Sequence, residues 1–207
     1  EEIIQSMQGK LDTRYDSLLR ELESNNPKNR LKLLFAILDA CPIEDNHKYI
    51  PEAYKILNEA LDTAKTKKTI RLLTINQAKI HVFEAVYANF IDDNESCLKH
   101  YKSALEIRKS VNDTTRITAT YMDIIRHYEA NGDYKNKLAT FKDAINFFNT
   151  VDYLYGLSKI HFQLSIFYSK LDDIDNAIKS LNSAQEVELR IGDTTRITRG
   201  LCLIGSF

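Results

Sequence analysis

The 207-residue sequence has little of what breaks or staples a chain: 6 glycines, 3 prolines and 3 cysteines. Average usage would supply roughly 14 glycines and 10 prolines, so turns are few and the helices between them are long. The cysteines, Cys41, Cys97 and Cys202, are odd in number and show no Cys-x-x-Cys spacing. That argues against a disulfide framework or a zinc site, and they read as buried small hydrophobes. An excess of one charge is missing too, because 28 Lys plus Arg face 29 Asp plus Glu for a net charge of -1. A nucleic-acid footprint needs clustered cations on one face, so direct binding of DNA or RNA by this segment is not expected. The longest nearly apolar run, Leu31 to Leu38, contains Lys32 and is far short of the ~20 residues that span a bilayer. With 43 % apolar and 10 % aromatic residues, the composition is globular and excludes disordered and fibrous classes. The opening Glu1-Glu2-Ile3-Ile4 lacks both Met and the layout of a signal peptide, and reads as the start of a processed fragment.

What is present is an internal repeat. Asp113-Thr114-Thr115-Arg116-Ile117-Thr118 recurs unchanged as Asp193 to Thr198, a displacement of 80, or two periods of 40. At a displacement of 40 the columns Asp93/Asp133/Asp173, Leu98/Leu138/Ile178, Tyr101/Phe141/Leu181, Ala104/Ala144/Ala184, Ile117/Leu157/Ile197 and Ile124/Leu164/Ile204 align. Each period holds two apolar stripes at helical spacing, such as Ile117, Tyr121, Ile124, Tyr128 and then Leu138, Phe141, Ala144, Ile145, and is therefore a helical hairpin. Turn signals part the stripes at Ile91-Asp92-Asp93, Asn131-Gly132-Asp133 and Leu171-Asp172-Asp173. There an Asp can accept hydrogen bonds from the free N–H groups that open the next helix. Val111-Asn112-Asp113 and Ile191-Gly192-Asp193 are expected to do the same between hairpins. The Ala column lets helix backbones approach closely. Hairpins that bury only half their apolar surface must stack on the next pair, which predicts an α-solenoid.

The pattern of a large residue, Leu, a small residue and Tyr in the first helix, then Ala, an aromatic and Ala in the second, resembles the tetratricopeptide repeat. Tyr168, Ala177, Leu181 and Ala184 match it in one period, and Tyr128, Phe141 and Ala144 in the period before. The 40-residue period is similar to the family's long-helix variant. Lys137 departs from it where Ala is preferred, Cys97 is a small substitute there, and Glu84 with Ala88 blurs the first helix of the earliest period. The resemblance implies an all-α, right-handed solenoid of about four repeats. Residues 1–26 are expected to form a capping helix on the stripe Ile4, Met7, Leu11, Tyr15, Leu18, Leu22, and 27–68 a degenerate repeat. Its helices are Arg30 to Ala40 and Tyr49 to Leu61, with Pro51 at a favourable helix start. Repeats follow at 69–112, 113–152 and 153–192, and 193–207 reads as the first helix of a truncated repeat in a longer parent protein.

Catalytic signatures are sparse. Of His47, His81, His100, His127 and His161, none lies in a His-Glu-x-x-His arrangement or has a second His three or four residues away. His81 and His161 share a column with Tyr121 and Leu201 and read as packed side chains. Phosphate loops and nucleophile elbows are missing, and Asp92/Asp93 and Asp172/Asp173 fall at turns where helix capping accounts for them. No catalytic residue, metal ligand or cofactor is assigned, and the segment reads as non-enzymatic.

In the resembling family the first helices of successive repeats line a concave surface. Carried over by position, this implies a groove of Lys79, Val82, Phe83, Val86, Asn89 and Phe90, then Met122, Asp123, Arg126 and Glu129, then Lys159, Phe162, Gln163 and Ile166, with Arg199 and Cys202 from the last fragment. Its apolar floor edged by cations suits an amphipathic helix or extended peptide, with Phe90 and Phe162 as anchors. The expected partner is a protein or peptide, which includes another domain of the same chain, with neither nucleic acid nor membrane contacted by this segment. The stretch Tyr15 to Glu23 followed by repeats of 40 is similar to input regions of large bacterial signalling proteins. That implies a sensor or interaction role, an extracytoplasmic position as the first expectation and a cytoplasmic one as the alternative. Two other roles remain open at this stage. One is a small-molecule sensor with Asp123, Arg126, Glu129 and Gln163 converging on the ligand, and the other is a spacer that dimerises through the end near Leu201 and Ile204.

Overall fold

In a computed structural model, residues 14–23 and 29–192 are described, and all their regular structure is helical. Helix α1 comprises residues 14–23. It is followed by α2 (Arg30–Ala40), a 3-10 turn (Ile43–Asp45), α3 (Asn46–Thr63), α4 (Lys67–Phe90) and α5 (Asn94–Ser110). Then come α6 (Thr114–Ala130), α7 (Tyr134–Thr150), α8 (Leu154–Lys170) and α9 (Ile174–Ile191). The chain divides into two units, one ending at Asn112 and the other beginning at Asp113. The expected truncated repeat, with Arg199 and Cys202, lies outside the described residues, as does most of the expected capping helix.

The turns after α4 to α9 share one device. Asp92, Asn112, Gly132, Asp152, Asp172 and Gly192 all take positive φ, between 49° and 79°. A left-handed residue reverses the chain after the helix and turns its last N–H groups back onto the free carbonyls. Asp93, Asp133, Tyr153 and Asp173 donate their N–H groups to the carbonyls of Ala88, Tyr128, Phe148 and Tyr168 at 2.8 to 3.0 Å. The same turn then starts the next helix, because the carboxylates of Asp93, Asp133 and Asp173 accept from the N–H groups of Ser96, Asn136 and Asn176. Asp113 departs from the expected role. It makes no side-chain cap, and its carboxylate lies 3.0 Å from Arg116 instead, an ion pair that competes for the same oxygens. Asp193 lies outside the described residues.

A side chain with a Cβ is strained at such a φ, and glycine is not. Asp172→Gly is therefore expected to raise the unfolding free energy by about 0.5–1 kcal/mol. Its neighbour Asp173, which supplies the cap, is untouched. Thermal denaturation checks this, and an unchanged or lowered midpoint would contradict it.

The first unit packs Leu34 and Leu38 of α2, Ile50, Ala53 and Leu57 of α3, and Leu73 and Ile80 of α4 into one core. A second seam is made of small residues, Ala85 and Ala88 of α4 against Cys97 of α5, which brings the two helices close. Cys97 is buried as expected, and Cys41 is partly so. The Cys41 Sγ lies 3.1 Å from Asn46 Oδ1, and burial pushes its thiol up to about 11. Helix α3 begins three residues before Tyr49, because the 3-10 turn runs straight into it. Pro51 thus sits inside α3 and not at its start, with no N–H to give the carbonyl four residues back.

In the second unit the repeat columns are the core. Ile117, Tyr121 and Ile124 of α6, Phe141 and Phe148 of α7, Leu157, Ile160 and Leu164 of α8, and Leu181 of α9 are buried, as are Ala144, Ala177 and Ala184. Tyr121 satisfies its hydroxyl by donating to Asp143 at 2.6 Å. Gly156 opens α8 against the fully buried Phe148, where an added Cβ would stand 2.8 Å from the ring.

Candidate functional site

Three helices of the second unit enclose a cleft of about 380 Å³. Helix α6 contributes Ala119, Met122, Ile125, Arg126 and Glu129, α7 Lys137 and Phe141, and α8 Lys159, Gln163, Ile166, Phe167 and Lys170. These positions recur every three or four residues, so each helix turns one face to the cleft. The floor is apolar and the rim cationic.

Lys137 is the unusual member. It occupies the column of Cys97 and Ala177, both fully buried, and is itself 3 % exposed. A buried ammonium must be paired. Its Nζ lies 3.1 Å from Glu129 Oε2 and 4.6 Å from the centre of the Phe167 ring. Glu129 also accepts from Lys170 at 2.9 Å, so one carboxylate bridges two cations. Hydrogen bonds from Lys170 and Lys137 hold the Glu129 carboxyl below its ordinary range, and Glu129 in turn raises the Lys170 ammonium. Arg126 pairs with Asp123, and Lys159 is exposed.

Six residues expected in the groove thus come together here: Met122, Arg126, Glu129, Lys159, Gln163 and Ile166. Asp123 reaches the cleft through Arg126. Phe162, the expected anchor, does not line it. At 100° per residue it falls roughly 60° round α8 from Lys159, on the side away from Gln163. Lys137, Lys170, Phe141 and Phe167 were missed. Lys137 was visible in the sequence as a charge in a small-residue column, and that was the available signal.

Of the expected groove residues of the first unit, Lys79 and Phe83 are engaged with α2. Lys79 Nζ lies 2.7 Å from Asp39 on α2 and over the rings of Phe35 and Phe83, at 5.1 and 5.2 Å. Phe83 stacks on Phe35 with centroids 6.4 Å apart. Val82 and Val86 are partly buried, Asn89 is exposed, and Phe90 is 50 % exposed at the end of α4.

The first unit contains a polar cluster where packed side chains were expected. His81 Nδ1 lies 2.9 Å from Glu84 Oε2, and His100 Nδ1 lies 2.8 Å from that same oxygen. The Tyr54 hydroxyl donates to Glu84 at 2.9 Å. Burial alone would raise the Glu84 pKa, but hydrogen bonds from His81 and Tyr54 and the attraction of His100 outweigh it and hold the carboxyl low. Burial lowers the His100 pKa against the pull of Glu84. His81 is thus a member of a hydrogen-bonded set, unlike His161 in the same column. His161 Nδ1 is buried with no hydrogen-bond partner among the described residues, and burial lowers its pKa.

No protein-family model matches the chain, and no curated protein sequence matches it. Solved structures do. BtubC (BKLC) from P. vanneervenii is similar over 98 % of this chain and 82 % of its own, with a TM-score of 0.54 and 10 % identity. Aspartyl phosphate phosphatase F from Bacillus subtilis is similar over 90 % of this chain, with a TM-score of 0.56 and 16 % identity. The chain spans 52 % of that protein's length. MamA is similar over 91 % of this chain and 94 % of its own, with a TM-score of 0.51 and 14 % identity. These neighbours are helical-repeat proteins of the tetratricopeptide-like kind, so the fold is an all-α helical repeat of that class. No helix among the described residues is long and apolar enough to cross a membrane.

Proposed function

We propose that the chain is a recognition module that seats an acidic, amphipathic protein segment in the cleft of α6, α7 and α8, as the interaction or sensor region of a larger bacterial signalling protein. The observation that carries this reading is the joining of an apolar floor to the exposed cations Arg126, Lys159 and Lys170 in one cleft. Such a surface takes the apolar side of a helix into the groove and its carboxylates at the rim. Met122, Ile166 and Phe167 replace Phe90 and Phe162 as the anchors.

Fluorescence anisotropy with labelled amphipathic peptides of acidic and basic polar faces tests it. The acidic peptide is expected to bind and the basic one not. Ile166→Ala should weaken the acidic peptide by at least about tenfold, and Lys159→Glu should weaken it further at low salt than at high salt. Equal binding of both peptides, or affinity indifferent to both substitutions, overturns the reading. A second reading is favoured by the cleft's size, since about 380 Å³ lies in the range of small-ligand pockets. If a small dicarboxylate raises the melting temperature and displaces the peptide, the cleft is a sensor of that anion.

A further inference from the structure

We propose that His81, Glu84 and His100 form a binding site for a divalent transition metal of the zinc class in the first unit. This is independent of the cleft in the second unit. The three ligand atoms come from two helices. His81 and Glu84, three residues apart, share one face of α4, and His100 reaches across from α5. His81 Nδ1 and His100 Nδ1 are 3.2 Å apart, and Glu84 Oε2 is 2.9 and 2.8 Å from them. With Zn–N and Zn–O bonds of about 2.0–2.1 Å, the edge of a tetrahedral ligand set is roughly 3.3 Å. The cluster is therefore already close to the spacing that a metal would impose. Two imidazoles and one carboxylate are also the donor set of three-ligand zinc sites, in which a fourth position stays open.

The repeat supplies a second observation. Glu84 stands in the column filled by Ile124 and Leu164, which are 2 % and 7 % exposed. His100 stands where later periods have Thr140 and Ser180, on the helix that follows. A carboxylate in an apolar column is costly unless compensated, and here two of the three compensating groups, His81 and His100, are imidazoles that can ligate a metal, the third being the Tyr54 hydroxyl. Tyr54, on α3, holds the shared carboxylate by donating its hydroxyl hydrogen bond to Glu84 at 2.9 Å. This is the outer-shell contact that orients a metal ligand. The three side chains are 19 to 24 % exposed, so an ion can reach them from solvent.

The experiment uses the full chain, stripped with a chelator and dialysed. Zn²⁺ is titrated by calorimetry, and Co²⁺ by its visible ligand-field absorption. One equivalent is expected to bind and to raise the melting temperature. His81→Ala/His100→Ala and Glu84→Gln should weaken it by at least about tenfold, while His127→Ala and His161→Ala leave it unchanged. Far-UV circular dichroism of the metal-free variants separates lost ligation from lost folding. Should a variant fail to fold, the wild-type chain still decides. Zn²⁺ is expected to protect His81 and His100, and not His47, from acylation by diethylpyrocarbonate, read residue by residue by mass spectrometry. No saturable binding by the wild type, or equal affinity in the folded double variant, or equal protection of His47, overturns the site.

Discussion

Phe148→Ala is expected to destabilise the second unit by about 3–5 kcal/mol. The ring is fully buried and meets Tyr121, Phe147 and Tyr153 at centroid distances of 5.9, 5.5 and 5.7 Å. Truncation removes its transfer free energy and leaves a cavity that rigid helices on either side cannot close. The same ring explains Gly156. Helix propensity alone would make Gly156→Ala stabilising by up to ~1 kcal/mol, yet the added methyl would stand 2.8 and 2.9 Å from ring atoms and 2.7 Å from Tyr153 Cδ1. Overpacking of this kind costs about 1–3 kcal/mol, so the net sign is destabilising. In the Phe148→Ala background the two contacts with the Phe148 ring are gone and the Tyr153 ring has space to give, so Gly156→Ala should cost less than in the wild type. Urea unfolding of the two single variants and the double variant gives the coupling directly. Additive effects would refute the contact as the cause.

Glu129→Gln is expected to lower stability by about 1–2 kcal/mol. The substitution leaves Lys137, whose side chain is 4 % exposed, without its counter-charge. Removing one partner of a buried pair can cost about 3–5 kcal/mol, but Glu129 is itself 37 % exposed and solvent screens part of the loss. Lys137→Met removes the charge along with the need for a partner and should fall within about 1 kcal/mol of the wild type. Glu129→Gln combined with Lys137→Met should recover most of what Glu129→Gln loses. The pH dependence has a defined sign. Because the folded pKa of Glu129 is lowered, its contribution is present above the unfolded value of about 4.3 and is lost as pH falls through the folded one. Glu129→Gln should flatten that acid limb in denaturation measured against pH, and an unchanged limb would contradict the pairing.

Period and turn chemistry made the fold legible, since both act within one helix or between consecutive ones. The stripes of Ile117, Tyr121 and Ile124, or of Phe141 and Ala144, point inward because 3.6-residue spacing leaves no other face. Asp, Asn and Gly marked the left-handed turns at 92, 132 and 172 at one phase of the period and those at 112 and 192 at another, while the one at Asp152 carried no recognised signal. The sites were harder to read because they depend on helix rotation and on register between helices. Phe162 and Gln163 are neighbours in sequence, yet about 100° of rotation puts Gln163 in the lining of the cleft and leaves Phe162 out of it. His81 and Glu84 share a visible i,i+3 spacing, but their third partner lies 16 residues after Glu84 on another helix. Only the packing of α4 on α5 joins them. In both units the departures from the repeat, Glu84 and Lys137, mark the place where polar chemistry collects.

The left-handed turns also bear on how such a chain is made over evolutionary time. The turns at Asp92, Gly132 and Asp172 each close the helix before them and, through Asp93, Asp133 or Asp173, open the helix after them with their own atoms. Each hairpin therefore carries its own punctuation between its two helices, whereas at the boundaries between forty-residue blocks Asp113 and Tyr153 make no side-chain cap. The unchanged hexapeptide at Asp113 and Asp193 has the form that copying of whole blocks leaves, and growth by whole hairpins would keep each intra-hairpin turn with the two helices it joins.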